Sequence, residues 1–251
     1  MSPAQNGGNA HIDHAMVLAA GRGERMRPLT DTCPKPLIEV RGQPIIDYVL
    51  DRLEAAGVET VVVNLHYLGS QLEAHLSGRA RPPVTFSHEN ELLNTGGGVY
   101  QALPHLGGGA FFVVNGDVVW LDGRDPALTR LAAHWDEERM DALLLLHPTA
   151  FAVGYHGRGD FIMDPEGRLR RRREYEVAPF VFAGIQILHA RLFEGMTAEP
   201  FSLNKVYDKA IRSGRLWGLR HDGEWCHVGT PEALQQVEAA LHHLSFYSVQ
   251  R

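Results

Sequence analysis

An α/β fold with a mainly parallel, twisted central sheet flanked by helices is predicted by three features of the sequence. Short apolar segments alternate with segments of helical periodicity as far as His147. Segments 16–18 and 111–114 lead directly into glycine-containing polar turns, as strands of open α/β sheets do at their carboxyl ends. The chain has 251 residues, 44% hydrophobic and 22% charged, which suits one large globular domain.

The individual elements follow from periodicity and from the residues that begin or end them. Apolar runs predict buried strands at 16–18, 60–65, 84–87, 111–114, 142–147, 180–188 and 215–220. Helical spacing predicts a helix between Pro44 and Gly57, one starting near Val99, and others at 68–76, 127–139, 204–212 and 234–244. A hairpin is predicted to turn at 164–167, and the basic residues after it favour an exposed strand edge.

Composition and charge limit the classes of function. The net charge of -6 argues against general nucleic-acid binding. Two cysteines, Cys33 and Cys226, are too few for a disulfide framework. No apolar run of about eighteen residues and no signal-peptide pattern occurs, so a cytoplasmic protein without a membrane partner is expected. Residues 1–13 are expected to form a mobile tail and residues 14–251 a single domain, with the oligomeric state left open.

The strongest functional signal is the stretch 16–36, M-V-L-A-A-G-R-G-E-R-M-R-P-L-T-D-T-C-P-K-P. Gly21 and Gly23 let the backbone approach an anion closely, and exposed backbone N–H groups form an anion-binding nest. Four cations follow in the same stretch: Arg22, Arg25, Arg27 and Lys35. So much positive charge indicates a ligand with more charge than one phosphate, and the stretch therefore predicts a triphosphate-binding loop.

Two better-known phosphate-binding loops do not fit this stretch. The P-loop pattern G-x-x-x-x-G-K-[ST] does not occur in the sequence. In the dinucleotide pattern G-x-G-x-x-G, Met26 takes the place of the third glycine. Three prolines, Pro28, Pro34 and Pro36, forbid one continuous helix after the glycines. The stretch is therefore predicted to lie across its ligand as a long loop.

Two further segments carry candidate ligand contacts. The strand 111–114 is followed by Asn115, Gly116 and Asp117, so a carboxylate lies at the carboxyl end of a central strand, where open α/β sheets bind ligands. Because magnesium prefers a carboxylate together with phosphate oxygens and water, Asp117 is the best candidate metal ligand. The glycines at 96–98 precede a predicted helix, and such backbone can press against a flat base or a phosphate.

The motif G-x-G-x-R-M-x-P-L-T followed by P-K-P-L resembles the signature of the sugar-1-phosphate nucleotidyltransferases, and we call residues 19–36 the signature loop. These enzymes join a nucleoside triphosphate to a sugar 1-phosphate and release pyrophosphate. The resemblance covers nearly the whole chain after residue 14 and implies a Rossmann-like nucleotidyltransferase fold. It implies three catalytic residues, Arg25, Lys35 and Asp117, with Mg2+ held by Asp117. It also implies a nucleotide-binding set: Ala19, Ala20, Gly21, Gly23, Glu24, Arg25, Lys35, Asn94, Gly97 and Asn115.

The segment W-C-H-V-G-T-P-E, residues 225–232, departs from the pattern of that family. The family usually has W-x-D-x-G-T, and its aspartate is a second magnesium ligand, whereas this chain has His227. Imidazole suits magnesium poorly and softer ions better. Three interpretations stay open: His227 binds a divalent ion, Mn2+ included, beside Asp117; Asp117 and the phosphates suffice; or His227 is structural.

The tract H-G-R-G-D-F, residues 156–161, resembles the bacterial N-acetylmuramate-1-phosphate uridylyltransferases, which serve cell-wall recycling. The resemblance implies UTP and N-acetylmuramate 1-phosphate as substrates. The residues predicted to bind the sugar are Arg158, Gly159, Asp160 and Gly184. The E-x-P lysine pair that the family usually has near the sugar is not evident here. Two alternatives remain: another pair, such as GTP with mannose 1-phosphate, and a catalytically inactive nucleotide-binding module, which the change at His227 suggests.

Overall fold

The computed structural model describes residues 11–248, and the side chains of residues 11–242. Within that range the strands are β1 His14–Leu18, β2 Glu39–Val40, β3 Gln43–Pro44, β4 Thr60–Leu65, β5 Val84–His88, β6 Ala110–Asn115, β7 Val118–Leu121, β8 Ala142–Pro148, β9 Phe161–Met163, β10 Leu169–Arg171, β11 Phe180–His189, β12 Leu216–Arg220 and β13 Glu224–His227. The α-helices are α1 Ile45–Ala55, α2 Gly69–Leu76, α3 Asn94–Ala102, α4 Ala127–His134, α5 Leu203–Arg212 and α6 Pro231–Ser248.

A nine-stranded sheet forms the centre of the molecule, with the order β10-β9-β11-β6-β1-β4-β5, while β8 pairs with β11 and β12 pairs with β8. The run from β5 through β4 and β1 to β6 is parallel, since a helix crosses over between successive strands of the chain. β11 runs antiparallel to both β6 and β8. The predicted α/β class is confirmed. The sheet is mixed, and its four-stranded parallel part comes first in the chain.

The parallel strands are buried because helices cover both faces of the sheet. Successive side chains of β1 point to opposite faces. Ala15 and Val17 join the apolar cluster under α1, α2 and α4, whereas Met16 joins the cluster under α3 and α5. All three side chains are fully buried. This two-sided burial explains why these strands read as continuous apolar runs in the sequence.

A two-stranded antiparallel ribbon of β7 and β13, which the sequence patterns do not predict, lies beside the sheet. It begins directly after Asp117, and its register places His227 opposite Val118. Together with α6 and the signature loop it encloses a third apolar cluster, which includes Met26 and Val119. Loop and ribbon therefore share one small core, and that core brings the signature loop and His227 to the same end of the sheet.

Two predicted helix boundaries are wrong. α3 begins at Asn94 and not near Val99, so the glycines at 96–98 lie inside the helix. The helix predicted for 127–139 ends at His134, because Trp135 takes an extended backbone conformation with φ -63° and ψ 129°. The remaining predicted helices and strands are confirmed to within a few residues of their ends.

The predictions for the ends of the chain and for the two cysteines can be compared with the described residues. Residues 1–10 of the predicted mobile tail lie outside the described residues, as do the last residues of the predicted domain. Ile12 is 4% exposed and packs into the core, so packing begins before the predicted boundary at residue 14. Cys33 and Cys226 are both free thiols. None of the helices in the described part of the chain is long and apolar enough to cross a membrane.

Two buried histidines lie side by side near the ribbon. His147 on β8 and His221 after β12 are 2% and 1% exposed, and their ring centres are 5.9 Å apart. Neither ring nitrogen of His147 has a hydrogen-bond partner in the described chain, although the backbone of Phe151 approaches the ring. His221 Nε2 donates to the carbonyl oxygens of Leu121 and Glu224, at 3.1 and 3.2 Å. Burial lowers the pKa of both imidazoles, because it disfavours the charged form.

The fold is expected to lose stability in mild acid because of these two histidines. Their pKa values lie below the value of about 6.5 for an unfolded chain, so the unfolded state binds more protons as the pH falls through that value. The free energy of unfolding, measured by urea titration, should therefore drop between about pH 7.5 and about pH 5.5. His147→Leu should make the drop smaller, and the same change at the exposed His134 should not. Equal pH dependence in wild type and His147→Leu would contradict this assignment.

Candidate active site

A cavity of about 550 Å³ opens at the carboxyl ends of β1, β4 and β6, where open α/β sheets bind ligands. All three predicted catalytic residues line it, and so do nine of the ten residues predicted to bind the nucleotide, Gly97 being the exception. The lining consists of residues 18–26, Lys35, Pro36, Asn64, Glu89, Leu92, Asn94, Thr95, Asn115, Asp117 and Gly229.

The signature loop is shaped by three short 3-10 turns, Glu24–Met26, Leu29–Asp31 and Lys35–Leu37, so no continuous helix forms. Gly23 has a left-handed backbone with φ 63°, and a Cβ on it would lie 2.9 Å from the Thr30 methyl group. Only glycine fits there. Around Gly21, apart from its chain neighbours, no described atom lies within 4 Å of where a Cβ would stand. The space that Gly21 leaves open therefore belongs to the cavity.

An ion pair joins the signature loop to the end of β6. Lys35 Nζ lies 2.5 Å from Asp117 Oδ2, and Lys35 is only 8% exposed. A lysine is rarely buried to that extent unless its charge is paired, so the carboxylate is what makes this position tolerable. The pair brings together two residues that are 82 positions apart in the chain. Arg25, the third predicted catalytic residue, is exposed and lines the same cavity.

Two cavity residues, Asn64 and Glu89, were missed by the sequence analysis. They are 3% and 5% exposed, and the Asn64 amide donates to Glu89 Oε1 at 2.6 Å. The backbone N–H of Ala19 donates to Asn64 Oδ1 at 2.7 Å. A signal for both was available, because Asn64 is the polar residue of the run V-V-V-N-L and Glu89 directly follows β5. Polar residues at the carboxyl ends of parallel strands are candidates for ligand sites.

Gly97 packs against segment 199–203 and does not line the cavity, so its contact with a nucleotide stays a prediction. Its N–H donates to the carbonyl oxygen of Phe201 at 3.1 Å, and the N–H of Gly96 donates to the same oxygen at 2.8 Å. A Cβ on Gly97 would lie 2.6 Å from the carbonyl oxygen of Glu199. The glycines therefore let α3 approach segment 199–203 closely. The carbonyl oxygen of Phe201 in that segment accepts the N–H groups of Gly96 and Gly97 at the start of the helix.

His227 lies close to the Lys35–Asp117 pair. Burial lowers its pKa, the negative charge of Asp117 opposes that shift, and the positive charges of Lys35 and Arg25 add to it. The imidazole stacks on Trp225 with 5.7 Å between ring centres and forms no side-chain hydrogen bond within the described residues. A Cβ on Gly229, in the cavity lining, would touch its Nε2. The ring thus lies behind Gly229 of the cavity lining and is not itself among the lining residues.

The residues present fit a metal ion that shares its shell with phosphate. Across residues 11–242, no group of three or more His, Cys, Asp or Glu side chains is placed to hold a metal ion. Asp117 with His227 nearby offers two protein ligands at most. Magnesium suits such a site, since it keeps water and binds phosphate oxygens beside one or two carboxylates. An ion at Asp117 would have to share that carboxylate with the Lys35 ammonium or displace it.

Gly159 and Asp160, predicted to bind the sugar, shape their own loop instead of lining the cavity. Asp160 Oδ2 accepts the N–H of Phe182 at 2.9 Å, and burial raises the pKa of its carboxyl group. Gly159 has φ 71° and donates its N–H to the Tyr155 hydroxyl at 3.2 Å. These contacts fasten the loop to β11, so both residues have a structural task that the motif alone does not reveal.

Gly184 and Arg158, the other two residues predicted to bind the sugar, do not line the cavity either, although Gly184 lies beside a residue that does. A Cβ on Gly184 would come within 2.9 Å of the side-chain nitrogen of Asn115, which lines the cavity. Arg158 is exposed. Its loop passes beside His227, because the ring of Tyr155 packs edge-on against that imidazole at 6.2 Å. The loop therefore packs against His227, and none of residues 154–161 is among those that line the cavity.

Residues 15–241 match the family described as the MobA-like NTP transferase domain. The chain belongs to this family. It is a nucleotidyltransferase, with its signature loop and the Asp117 carboxylate in one cavity. The match covers the signature loop, the sheet and the ribbon, and it ends inside α6.

Curated relatives of the nucleotidyltransferase include two named N-acetylmuramate alpha-1-phosphate uridylyltransferase. The one from Caulobacter vibrioides is 43% identical over 90% of this chain and 96% of its own length. The one from Neisseria meningitidis serogroup B is 38% identical, with the same shares. The mannose-1-phosphate guanylyltransferase catalytic subunit beta of Danio rerio is more distant, at 28% identity over 87% of this chain and 61% of the relative.

Solved structures confirm the Rossmann-like nucleotidyltransferase fold. HddC from Yersinia pseudotuberculosis, complexed with GMP-PN, superimposes with a TM-score of 0.72. The comparison covers 92% of this chain and all of the other, at 21% sequence identity. At that identity the likeness establishes the fold and leaves the substrates open.

Lys35→Ala is expected to lower the turnover of the nucleotidyltransferase by ~10²–10³, because one preorganised charge contact is lost. The protein should stay folded, since the lysine lies in a loop and its partner Asp117 is partly open to water. The rate of pyrophosphate release and the thermal unfolding midpoint check the two parts. Lys205→Ala, at an exposed lysine on α5, is the control and should keep its rate. Near-normal turnover of Lys35→Ala would remove Lys35 from the mechanism.

Proposed function

We propose that this enzyme transfers the uridylyl group of UTP to N-acetylmuramate 1-phosphate, giving UDP-N-acetylmuramate and pyrophosphate. The observation that carries the proposal is the cavity in which Arg25, Lys35 and Asp117 meet the glycine backbone of the signature loop. The choice of substrates is supported by the 43% and 38% identity to the two uridylyltransferases and by the H-G-R-G-D-F tract.

In this proposal an oxygen of the sugar phosphate attacks the α-phosphorus in line, and pyrophosphate leaves from the opposite side without a covalent enzyme intermediate. Catalysis then consists of positioning and charge neutralisation. The backbone amides of residues 21–23 and the Arg25 guanidinium would hold the outer phosphates. Lys35 would stabilise the charge that develops on the α-phosphate. Lys35 lines the cavity, and a metal ion that displaces it from Asp117 would free its ammonium for that phosphate.

Asp117 would hold a divalent metal ion, magnesium first and manganese as the alternative. When bound, the ion would neutralise phosphate charge and polarise the reacting phosphoryl group. His227 is the second candidate ligand, because its nitrogens are unused and it lies close to Asp117. Its lowered pKa keeps the imidazole neutral, which is the form that coordinates metals.

The sugar would lie beside Asn115 and Gly184, under the loop that carries Arg158. In that position Arg158 could meet an anionic group of the acceptor, while Gly159 and Asp160 would hold the loop in place. A task in peptidoglycan recycling and a cytoplasmic location follow from the substrate pair and remain predictions.

Among four nucleoside triphosphates and several sugar 1-phosphates, UTP with N-acetylmuramate 1-phosphate should give the highest kcat/KM. Pyrophosphate release measures it, with mannose and glucose 1-phosphates as the matched acceptors. The alternative favoured by the 28% identical relative is GTP with mannose 1-phosphate, and a clear preference for that pair would reject the uridylyl assignment. Nucleotide binding by calorimetry without turnover of any pair, under magnesium or manganese, would indicate an inactive binding module.

His227→Asp is expected to shift the metal preference of the enzyme towards magnesium. A carboxylate suits that hard ion better than imidazole does, so the magnesium curve should move to lower concentration relative to the manganese curve. His227→Ala should raise the concentration of either ion needed for half the maximal rate. Asp117→Asn serves as the positive control and should lose metal-dependent activity. Identical metal titrations for wild type, His227→Asp and His227→Ala would show that His227 does not bind the metal.

A further inference from the structure

A chain of hydrogen bonds ties together the carboxyl ends of three neighbouring parallel strands. The N–H of Ala19, after β1, donates to Asn64 Oδ1 at 2.7 Å, and Asn64 Nδ2 donates to Glu89 Oε1 at 2.6 Å. Glu89, after β5, accepts the N–H of Leu93 at its other oxygen, at 2.9 Å. We call these four residues the Asn64 tether. It ends one residue before Asn94, so it spans the wall of the cavity from the signature loop to the start of α3.

The tether holds a buried charge with neutral donors. Glu89 is 5% exposed, and no lysine, arginine or histidine in the described part of the chain forms an ion pair with it. A buried carboxylate is costly unless hydrogen bonds satisfy it, so the Asn64 amide and the Leu93 N–H are both needed to keep Glu89 where it is. Because the Asn64 oxygen accepts the Ala19 N–H, the orientation of the amide is set and its N–H₂ group faces Glu89.

The helix behind the tether is shaped to leave room for it. A Cβ on Gly98 would lie 2.7 Å from Glu89 Oε1 and 2.8 Å from Asn64 Nδ2, so only glycine fits at that position of α3. Glycine in a helix interior lowers the stability of the helix relative to alanine. Gly98 therefore lowers the stability of α3, but it leaves the space that Glu89 and Asn64 need.

We propose that Asn64 is a positioning residue for the nucleotide, acting through Ala19 and Glu89 and not by contact with the reacting atoms. The proposal rests on the proposed function, which assigns Ala19 and Asn94 to the nucleotide. The tether fixes the spacing between these two contact points before the nucleotide binds. Its loss should therefore weaken the nucleotide complex and leave the acceptor complex, on the far side of Asp117, nearly unchanged.

Asn64→Ala tests this through a split between the two substrates. The KM and the calorimetric Kd for the nucleotide should rise about tenfold or more, the size expected when hydrogen bonds to a charged group are lost. The KM for the sugar phosphate and kcat should stay within about twofold. Val62→Ala, a core change two residues earlier on β4, lowers stability without touching the cavity and should show no split. Equal changes in both KM values, or none in the nucleotide Kd, would overturn the proposal.

A swap of the hydrogen-bonding groups gives a second test that does not depend on Asn64→Ala folding. Asn64→Asp alone places a second carboxylate beside Glu89. Glu89→Gln alone turns its amide N–H₂ group towards a donor, either the Asn64 amide or the Leu93 N–H. In the double variant the carboxylate at position 64 would accept the Ala19 N–H and the new amide N–H₂. The amide oxygen at position 89 would accept the Leu93 N–H, so every group is satisfied at unchanged net charge. The nucleotide Kd of the double variant should return to within about threefold of wild type, far below either single variant. A double variant no better than the singles would refute the tether.

Gly98→Ala provides an independent perturbation, since it improves helix propensity while its Cβ displaces the tether. It should raise the nucleotide Kd in the same way as Asn64→Ala, and an unchanged Kd would contradict the proposal. The outcome is separable from that of the proposed function. If the enzyme prefers another nucleotide or acceptor, the substitutions are measured with that pair, and the split should still appear. If no pair turns over, the Kd for UTP with magnesium decides alone.

Discussion

Parallel pairing of β5, β4, β1 and β6 is the constraint on which the cavity depends. In-register pairing sets Leu18 beside Asn115 and Leu65 beside His88, so the carboxyl ends of all four strands reach one edge. Whatever follows each strand must then share that edge. The signature loop, Glu89 and Asp117 come from different parts of the sequence and meet for this reason alone. The topology of the sheet therefore determines where the cavity lies, whichever side chains occupy the turns after the strands.

The ion pair between Lys35 and Asp117 fixes the signature loop over this common edge and so forms one wall of the cavity. Asp117 leaves β6 and enters the ribbon, while Lys35 ends the signature loop, so their contact fastens the loop down over the strand ends. Met26 supports the same loop from below, through the small core shared with the ribbon. Hydrogen bonds from the Tyr67 hydroxyl to the Thr30 carbonyl oxygen and from the Gln71 amide to that of Thr32 also help to hold this segment, which contains three prolines and no regular helix longer than one turn.

Local patterns in the sequence are sufficient to predict much of this architecture. The buried strands β1, β4 and β6 are apolar runs with polar turns after them. The glycines and cations of the signature loop predict an anion-binding site. What escapes prediction depends on partners far away in the chain. Gly97 is one example, because the sequence does not show that the carbonyl oxygen of Phe201, 104 residues later, accepts its N–H. The short strand β7, V-V-W-L, is an apolar run too, but it follows β6 after only two residues and its partner β13 lies far away in the chain.

His227 shows how far a shared fold can carry a functional conclusion. The register of the ribbon sets its backbone opposite Val118, and Trp225 and Tyr155 hold its ring from two sides. The register would set the backbone of an aspartate in the same place, whereas the ring contacts act on the imidazole alone. Which ion prefers the site depends instead on the donor atom, since a nitrogen ligand favours softer ions than an oxygen does. The sheet thus determines where the ligands lie, while single side chains that the sheet does not constrain determine what they bind.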